Sequence, residues 1–452
     1  MNDKVVMPVW TFGLFIVLMN TTMFNVSIPS IIQDIGVSAS LASWIISSYS
    51  IGYALSTVIY SRLSDVLPIR RLLTIGLVIL GLASIFGIFA SNFQALLFAR
   101  IAQSAGAGVT AGLGLVIASR YIPYERRGRA ISMISAGAAM AFGLGPIVGG
   151  VITEYIGWNG LFGVTSLVFV LLPVLLRLLP KEEPKVFRFD MLGAILTIVN
   201  AVAILTAVTQ RSFILLAVGI ISIAAHIWHL NRKEESFINP KLFAKPMYRR
   251  LLLVGFCILV LNLGNLFIMP LVLANLFRDS PLIIGLTIAP GAILSAILTR
   301  FVGRWIDRYG NIRVLILGHV IIALVLLVFW AILGTSPAVI LFGYLFFAPA
   351  ASASLASLNN ETSRILPSNL IGSGMGFMQL IQFFGGSFSV AVCGMLLEYQ
   401  KKHSLVHAYE FVYAVLIAIS LCSLCVLLWY LLTSRRAASL PDNMARSAYN
   451  ED

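Results

Sequence analysis

Long apolar segments separated by short polar stretches make up nearly the whole chain. Each segment holds about 20 residues, which is the length that a helix needs to cross the bilayer core. The pattern predicts fourteen transmembrane helices, at roughly 9–32, 41–61, 72–91, 95–119, 130–153, 158–179, 191–209, 212–229, 251–276, 282–303, 314–333, 337–358, 370–397 and 409–432. We therefore expect an all-α polytopic membrane protein with both termini on the same side of the membrane.

The composition supports this fold class. Of the 452 residues, 59% are hydrophobic and 11% are charged, whereas a soluble protein has about 25% charged residues. The first apolar segment is too long for the apolar region of a signal peptide, so we expect a retained helix. The sequence shows no motif for ATP, haem or zinc and no cluster of catalytic side chains within the predicted spans. We expect neither an enzyme nor a cofactor, and a sensor would need an output domain that the pattern does not show.

Lysine and arginine are distributed unevenly among the predicted loops. With the N-terminus in the cytoplasm, the outer loops hold only Arg211, Arg278, Lys401 and Lys402, Arg100 lies inside a helix, and the others are cytoplasmic. Cytoplasmic loops of membrane proteins carry such an excess of positive charge. Both termini are therefore predicted to be cytoplasmic. The net charge of +13 reflects this topology, with a secondary attraction to anionic lipids, and does not indicate a nucleic-acid partner.

Two short cytoplasmic loops carry matching charges. Asp65 and Arg71 follow predicted helix 2, and Asp307 and Arg313 follow predicted helix 10 at the same spacing. The repeat indicates that helices 1–6 and 9–14 form two parallel halves, which alternately open a central cavity to each side. An acid and a base on such a loop can clamp helix ends in one state and release them in another. A charged tight turn without a mechanical role is the alternative.

The repeat also predicts how the chain is divided. Helices 7 and 8 form an inserted pair between the two halves. The predicted parts are a six-helix bundle at 1–180, the inserted helices at 181–235, a cytoplasmic connector at 236–250, a second six-helix bundle at 251–434 and a cytoplasmic tail at 435–452.

Helix 5 carries Gly145, Pro146, Gly149 and Gly150 in the pattern G-x-G-P-x-x-G-G. Proline removes a helical hydrogen bond, and glycine leaves one helix face without side chains. The helix is therefore able to bend and to lie very close to a neighbour. We expect this segment to act as a hinge in the movement of the two halves.

These motifs resemble those of the major facilitator superfamily. The two charged loops resemble its G-x-L-x-D-R-x-G-R-R loop, with Ser61 and Pro68 in the first copy where the family has glycine. The segment that starts at Arg100 resembles its helix-4 motif R-x-x-Q-G-x-G, with Ser104 for one glycine. The helix-5 pattern is similar to the antiporter motif of its exporters, and residues 20–29 resemble the helix-1 motif of its fourteen-helix drug:proton antiporters. The resemblance extends to tetracycline and quinolone exporters of Gram-positive bacteria.

The resemblance implies a proton-coupled efflux antiporter in the bacterial plasma membrane that exports amphipathic, fluoroquinolone-like or dye-like drugs by alternating access. A proton-coupled exporter of a physiological metabolite, or of a single drug class such as tetracycline, is the alternative. We expect a monomer in the lipid bilayer whose partners are a small-molecule drug and protons. Asn20 stands where the helix-1 motif usually carries an acid. Neutral, zwitterionic or amphipathic substrates are therefore expected at least as readily as lipophilic cations.

Proton coupling in a membrane usually relies on a carboxylate, yet none of the 18 acids is predicted in the middle of a helix. Glu154 lies one turn beyond Gly150, and Asp34 lies at a similar height on helix 1. We expect the two to approach each other when the outer gate closes and to share a proton; two solvated acids at the rim are the alternative. Arg100 is expected to bond to helix 1 or helix 5 or to relay charge to these acids, unless it only binds backbone carbonyls.

The substrate cavity is expected to be apolar and aromatic with a few buried amides, as in other sites that accept many shapes. Asn20 and Phe24 share one face of helix 1, and the repeat places Asn262 at the position of Asn20 in the second half. Helix–helix hydrogen bonding is the alternative role for each amide. The predicted cavity residues are Asn20, Phe24, Gln103, Met140, Asn262, Asn265, Gln379 and Phe383.

Overall fold

The computed structural model describes residues 3–182, 190–210, 212–232, 240–367 and 370–438. These residues form fifteen α-helices and one short 3-10 helix at Pro240–Leu242. The α-helices are α1 Asp3–Ile35, α2 Ala39–Leu63, α3 Ile69–Ile88, α4 Phe93–Tyr121, α5 Tyr124–Tyr155, α6 Gly160–Ser166, α7 Val168–Leu178, α8 Met191–Gln210, α9 Phe213–Leu230, α10 Pro246–Leu276, α11 Pro281–Tyr309, α12 Asn311–Ile332, α13 Pro337–Ile365, α14 Ile371–Tyr399 and α15 Leu405–Ala438.

The all-α membrane fold is confirmed. Thirteen helical segments of the described ranges are long and apolar enough to cross a membrane. The serine-rich helix α2 is not among them, although it lies where the second span is predicted. The predicted sixth helix is divided at Leu167 into α6 and α7, which together form one apolar span. The fourteen predicted segments therefore correspond to these thirteen spans and α2.

Two sets of helices show the same packing pattern. In the N-half (α1–α7), α1 packs against α5, α2 against α4, and α3 against α4. In the C-half (α10–α15), α10 packs against α14, α11 against α13, and α12 against α13. The pattern agrees with the sequence repeat, and the domain boundaries stay predictions. Residues 233–239, which include the start of the predicted connector, and residues 439–452 of the predicted tail lie outside the described residues.

The inserted pair consists of α8 and α9, which pack against each other. Helix α8 also contacts α2 of the N-half and α14 of the C-half. Leu205 of α8 is buried in a small apolar cluster with Ile51 of α2 and Leu380 of α14. The inserted pair therefore covers one side of the boundary between the two halves.

Two long helix pairs join the halves, α5 with α11 and α2 with α14, and α1 contacts α10 near the centre. We call the end of the bundle that carries the α1–α2 and α5–α6 loops the outer end, following the predicted topology, and the opposite end the inner end. The largest buried apolar cluster includes most of α1 and α10. These two helices thus form the centre of the bundle.

Candidate functional site

A buried arginine is the most polar feature inside the N-half. Arg100 of α4 is completely buried, and arginine at the centre of a membrane helix costs about 3 kcal/mol or more. Its Nη1 donates to the amide oxygen of Asn20 and, at 3.0 Å, to that of Gln103. Its Nε donates to the carbonyl oxygen of Ile45 at 3.2 Å. The predicted bond to helix 1 is thus present, and the relay of charge from Arg100 to the outer acids stays a prediction.

Aromatic rings and two further hydroxyls complete this cluster. The guanidinium carbon of Arg100 lies 4.0 Å from the ring centres of both Phe24 and Tyr49, an arrangement that stabilises a desolvated cation. Asn20 donates to Thr165 of α6 at 2.6 Å, and Gln103 donates to Ser84 of α3 at 2.8 Å. Sequence reasoning missed both hydroxyls because neither belongs to a motif. Asn20, Phe24 and Gln103 are therefore brought together around Arg100, inside the N-half.

The two predicted proton-binding acids lie at the outer end, and each has its own partner. Asp34 accepts a hydrogen bond from the indole nitrogen of Trp158 at 3.1 Å. Glu154 accepts one from the backbone nitrogen of Leu282 at 3.4 Å. Both side chains are exposed, and no hydrogen bond joins the two carboxylates within the described part of the chain. The structure therefore does not bring Asp34 and Glu154 together as a pair.

The bond of Glu154 crosses between the halves. Leu282 belongs to the first turn of α11, where backbone N–H groups have no helical acceptor and the helix dipole is positive. A negative charge on Glu154 at the end of α5 therefore favours contact with the start of α11. This hydrogen bond joins the end of α5 to the start of α11 at the outer end.

The glycines of helix 5 serve two different interfaces. A Cβ atom on Gly145 would overlap Thr22 Oγ1, and one on Gly149 would lie 2.8 Å from the Cα of Met23, both on α1. A Cβ atom on Gly150 would lie 2.6 Å from the carbonyl oxygen of Pro281 on α11. Gly145 and Gly149 therefore permit packing within the N-half, and Gly150 permits close contact between the halves.

The interface of α5 and α11 is closely packed towards the outer end and contains a groove towards the inner end. Pro146 contacts Gly285, where a Cβ atom would overlap the proline carbonyl oxygen. Towards the inner end, residues of both helices line a groove of about 700 Å³. Its walls are mainly apolar and include Ile131, Ser135, Ala136, Ala139, Met140, Gly143 and Leu144 of α5 and Ile293, Ala296, Ile297 and Thr299 of α11. Of the predicted cavity residues, Met140 lines this groove.

The other predicted cavity residues lie on α10 and α14. Asn265 is fully buried and accepts a hydrogen bond from Tyr413 at 3.0 Å, which is a contact within the C-half. Asn262 and Gln379 are partly exposed. Phe383 packs edge-on against Tyr53 of α2 with 5.3 Å between ring centres. The predicted set is therefore distributed over the N-half, the C-half and their boundary rather than gathered in one pocket.

The charged loops at the inner end differ from each other. Asp65 forms an ion pair of 2.5 Å with Arg120 at the end of α4, a partner that the sequence does not indicate. Arg71, Asp307 and Arg313 are exposed. The first loop is thus joined to the end of α4 by the ion pair of Asp65 with Arg120. The partner of Asp65 is not Arg71, the arginine of the same motif.

Two carboxylates tie helix ends together at the inner end. In the N-half, Glu182 accepts hydrogen bonds from the hydroxyl of Tyr121 and, at 2.6 Å, from the backbone nitrogen of Ile69 at the start of α3. In the C-half, Glu361 accepts from Tyr430 at 2.7 Å and from Asn311 at the start of α12 at 2.8 Å. We call these two groups the inner latches.

Sequence reasoning does not find the latches, because it places both acids in cytoplasmic loops. Helix α13 extends seven residues beyond the predicted boundary at 358 and places Glu361 inside the protein, where only 1% of its side chain is exposed. Arg364 lies three residues after Glu361 and donates a hydrogen bond to it at 2.8 Å. This spacing is the one local signal that could have suggested that Glu361 lies on a helix.

Comparisons with known proteins agree with this architecture. The chain is 28% identical over 400 residues to the "Putative multidrug resistance protein MdtD" of Escherichia coli O6:H1, covering 85% of this chain and 84% of the relative. It is 26% identical over 415 residues to the "Uncharacterized MFS-type transporter YcnB" of Bacillus subtilis, covering 89% and 88% of the two chains.

Solved structures with the same fold include two transporters. A peptide transporter POT in complex with sulfate matches with a TM-score of 0.71 and 17% identity, over 95% of this chain and 94% of that one. A D-xylose-proton symporter matches with a TM-score of 0.69 and 15% identity, over 93% and 96%. The family model of the Major Facilitator Superfamily matches residues 10–390. The chain therefore belongs to the Major Facilitator Superfamily of membrane transporters.

Proposed function

We propose that the protein is a proton-coupled efflux antiporter that exports amphipathic drugs, fluoroquinolone-like or dye-like, across the bacterial plasma membrane by alternating access. One observation carries the proposal. The α5–α11 boundary is closely packed at the outer end, at Gly150 and Pro281, and both helices line a groove towards the inner end. In this state a transporter exchanges substrate with the cytoplasm or the inner leaflet, which is the side from which an exporter takes up its substrate. The relatives described as multidrug resistance proteins support the substrate class.

The outer contact suggests how protons act on the cycle. Charged Glu154 accepts a hydrogen bond from the start of α11, and the helix dipole favours that charge. A proton that arrives from outside neutralises the carboxylate and weakens the contact. The outer ends of α5 and α11 then separate, and the bound drug is released to the outside. Asp34 holds the neighbouring α5–α6 loop in place through the hydrogen bond that it accepts from Trp158.

Everted membrane vesicles with an acidic lumen provide the test. Addition of norfloxacin or a dye is expected to release protons from vesicles that contain the wild-type protein, measured with a pH-sensitive fluorophore. Glu154→Gln is expected to lose most of this signal, and Asp34→Asn part of it. Glu410→Gln is the matched control, because Glu410 also lies near the outer end but pairs with His407 of its own helix, at 3.6 Å.

Two results would contradict the proposal in different ways. Undiminished proton release in both the Glu154→Gln and the Asp34→Asn proteins would exclude these acids as the coupling groups. Absence of proton release in the wild type with every drug tested would exclude multidrug export. In that case a panel of metabolites, with tetracycline as the single-drug comparison, identifies the alternative substrate.

A further inference from the structure

Arg100 has hydrogen-bond acceptors but lacks a counter-charge. Its three protein acceptors are the amide oxygens of Asn20 and Gln103 and the carbonyl oxygen of Ile45, all of them neutral. Its Nη2 atom is buried and has no hydrogen-bond partner in the described structure. No ion pair of the described residues includes Arg100. A full positive charge with free donor hydrogens is therefore enclosed in the N-half, which is a costly arrangement unless a ligand completes it.

Asn20 has the shape of an aspartate without the charge. Its oxygen already faces Arg100, so an aspartate at this position would neutralise the guanidinium in place. The neutral amide leaves that charge available to another carboxylate. A hydrogen bond between an arginine and a carboxylate is charge-assisted and therefore stronger than one between neutral groups.

We propose that Arg100, with Asn20 and Gln103, binds the carboxylate of an aromatic carboxylic acid substrate. The unpaired Nη2 donates to one carboxylate oxygen. Asn20 and Gln103 keep the guanidinium in position. This assignment rests on the proposed export function for its role in transport, whereas the binding itself is independent of that function.

The surroundings of Arg100 suit an aromatic substrate. The rings of Phe24 and Tyr49 both lie against the guanidinium, with their centres 4.0 Å from its carbon. Tyr49 stacks on Tyr53 with 6.4 Å between ring centres, and Tyr53 contacts Phe383 of α14. A row of rings thus connects Arg100 to the boundary between the halves. For an aromatic acid to enter along this row, Phe383 of α14 must move away from Tyr53 of α2.

The test compares benzoate with its neutral isostere benzamide as ligands of the purified full-length protein. Benzoate is expected to raise the melting temperature of the wild type in a saturable manner. Benzamide is expected to need at least about tenfold higher concentration for the same shift, because it lacks the charge-assisted hydrogen bond. Asn20→Asp supplies an internal carboxylate and is expected to abolish the benzoate response while raising the melting temperature of the free protein.

Asn200→Asp is the matched control, since it adds an acid to the distant helix α8, where Asn200 bonds to His226 at 3.0 Å. It is expected to leave the benzoate response of the protein unchanged. Equal shifts with benzoate and benzamide, no shift with either, or a normal benzoate response in the Asn20→Asp protein would each overturn the carboxylate site. Failure of drug-induced proton release together with a benzoate-specific shift would reject the export function alone.

Discussion

The hydroxyl of Tyr430 on α15 donates a hydrogen bond to the buried carboxylate of Glu361 on α13, with 2.7 Å between the oxygens. The N-half contains the same bond with the two partners exchanged. There Tyr121, at the end of α4, donates to Glu182, which follows α7. Helix α4 corresponds to α13, and α7 corresponds to α15. Each inner latch therefore joins equivalent helices, although acid and tyrosine occupy opposite helices in the two halves.

Tyr430→Phe tests the contribution of the C-half latch. The substitution removes the hydroxyl and leaves the buried Glu361 oxygen with one donor fewer, so we expect the protein to lose about 1–2 kcal/mol of stability. Thermal unfolding of the purified protein measures the loss. Tyr155→Phe removes a hydroxyl from a side chain that is 75% exposed and is expected to have no effect. Equal melting temperatures for both variants would show that the latch does not stabilise the C-half.

Substitutions at Gly149 and Gly150 test two different contacts. Gly149 packs against α1 within the N-half, whereas Gly150 packs against α11 of the C-half. Gly149→Ala places a methyl group against the α1 backbone. Because there is no room for this group, α1 and α5 of the same half must move apart, and the melting temperature is expected to fall. Gly150→Ala presses on Pro281 of the other half. It is expected to open the outer end with less loss of stability.

Accessibility of an outer-end cysteine at Leu282 to a membrane-impermeant maleimide measures this opening. We expect faster labelling in the Gly150→Ala protein than in the wild-type background with the same cysteine. Gly163→Ala is the control for both variants, because a Cβ atom at Gly163 would meet no other atom within 4 Å. A Gly150→Ala protein that labels no faster than the Gly163→Ala protein would contradict the close contact as an outer seal.

Local sequence predicts the helices of this protein well and its polar contacts only in part. The length of each apolar segment is a local property, so the spans are found near their predicted positions. Motifs single out Arg100, Asn20 and Gln103 in the sequence, whereas the hydrogen bond between Arg100 and Asn20 is identified by the structure. The partners of Asp65 and Glu182 lie on distant helix ends, at Arg120 and Tyr121. No periodicity relates such residues, so only the folded packing of the helices identifies these pairs.

Asp65 and Asp307 occupy equivalent loops but differ in their contacts. Asp65 pairs with Arg120, whereas Asp307 is exposed. Asp65→Asn is therefore expected to slow drug efflux from cells more than Asp307→Asn. The loss of stability is expected to be small, about 0.5–1 kcal/mol, because both partners of the ion pair are partly exposed.

Exchange of the charges, in the Asp65→Arg and Arg120→Asp double variant, is expected to restore part of the efflux rate. Equal effects of the two asparagine variants would contradict a special role of the first loop.

Asp279, in the outer loop before α11, gives the protein a pH-dependent stability. Burial raises the pKa of this carboxyl above its usual value near 3.8, and its Oδ2 atom has no hydrogen-bond partner in the described structure. A raised pKa means that the folded protein binds the proton more tightly than the unfolded chain. This acid therefore destabilises the fold increasingly as the pH rises above about 4.

Asp279→Asn removes the charge and is expected to raise the melting temperature at pH 7. The difference from wild type is expected to shrink as the pH falls through the raised pKa of Asp279, because the carboxyl then becomes protonated in the folded wild type. Thermal unfolding at several pH values measures this convergence. A constant difference at all pH values would show that the substitution acts through packing and not through the buried charge.

The groove between α5 and α11 must close if the two halves rock about a central site. Ala139 and Ala296 line its opposite walls. The Ala139→Cys and Ala296→Cys pair is introduced into a protein without its four native cysteines, and a short bifunctional maleimide is expected to link the two cysteines. The linked protein is expected to lose drug transport, because the link fixes the inner ends of the halves.

The Ser27→Cys and Thr153→Cys pair is the control. Its oxygens are 2.5 Å apart on α1 and α5 of the same half, so an oxidised pair is expected to leave transport intact. Full transport by the protein linked across the groove would exclude a rocking movement at this interface.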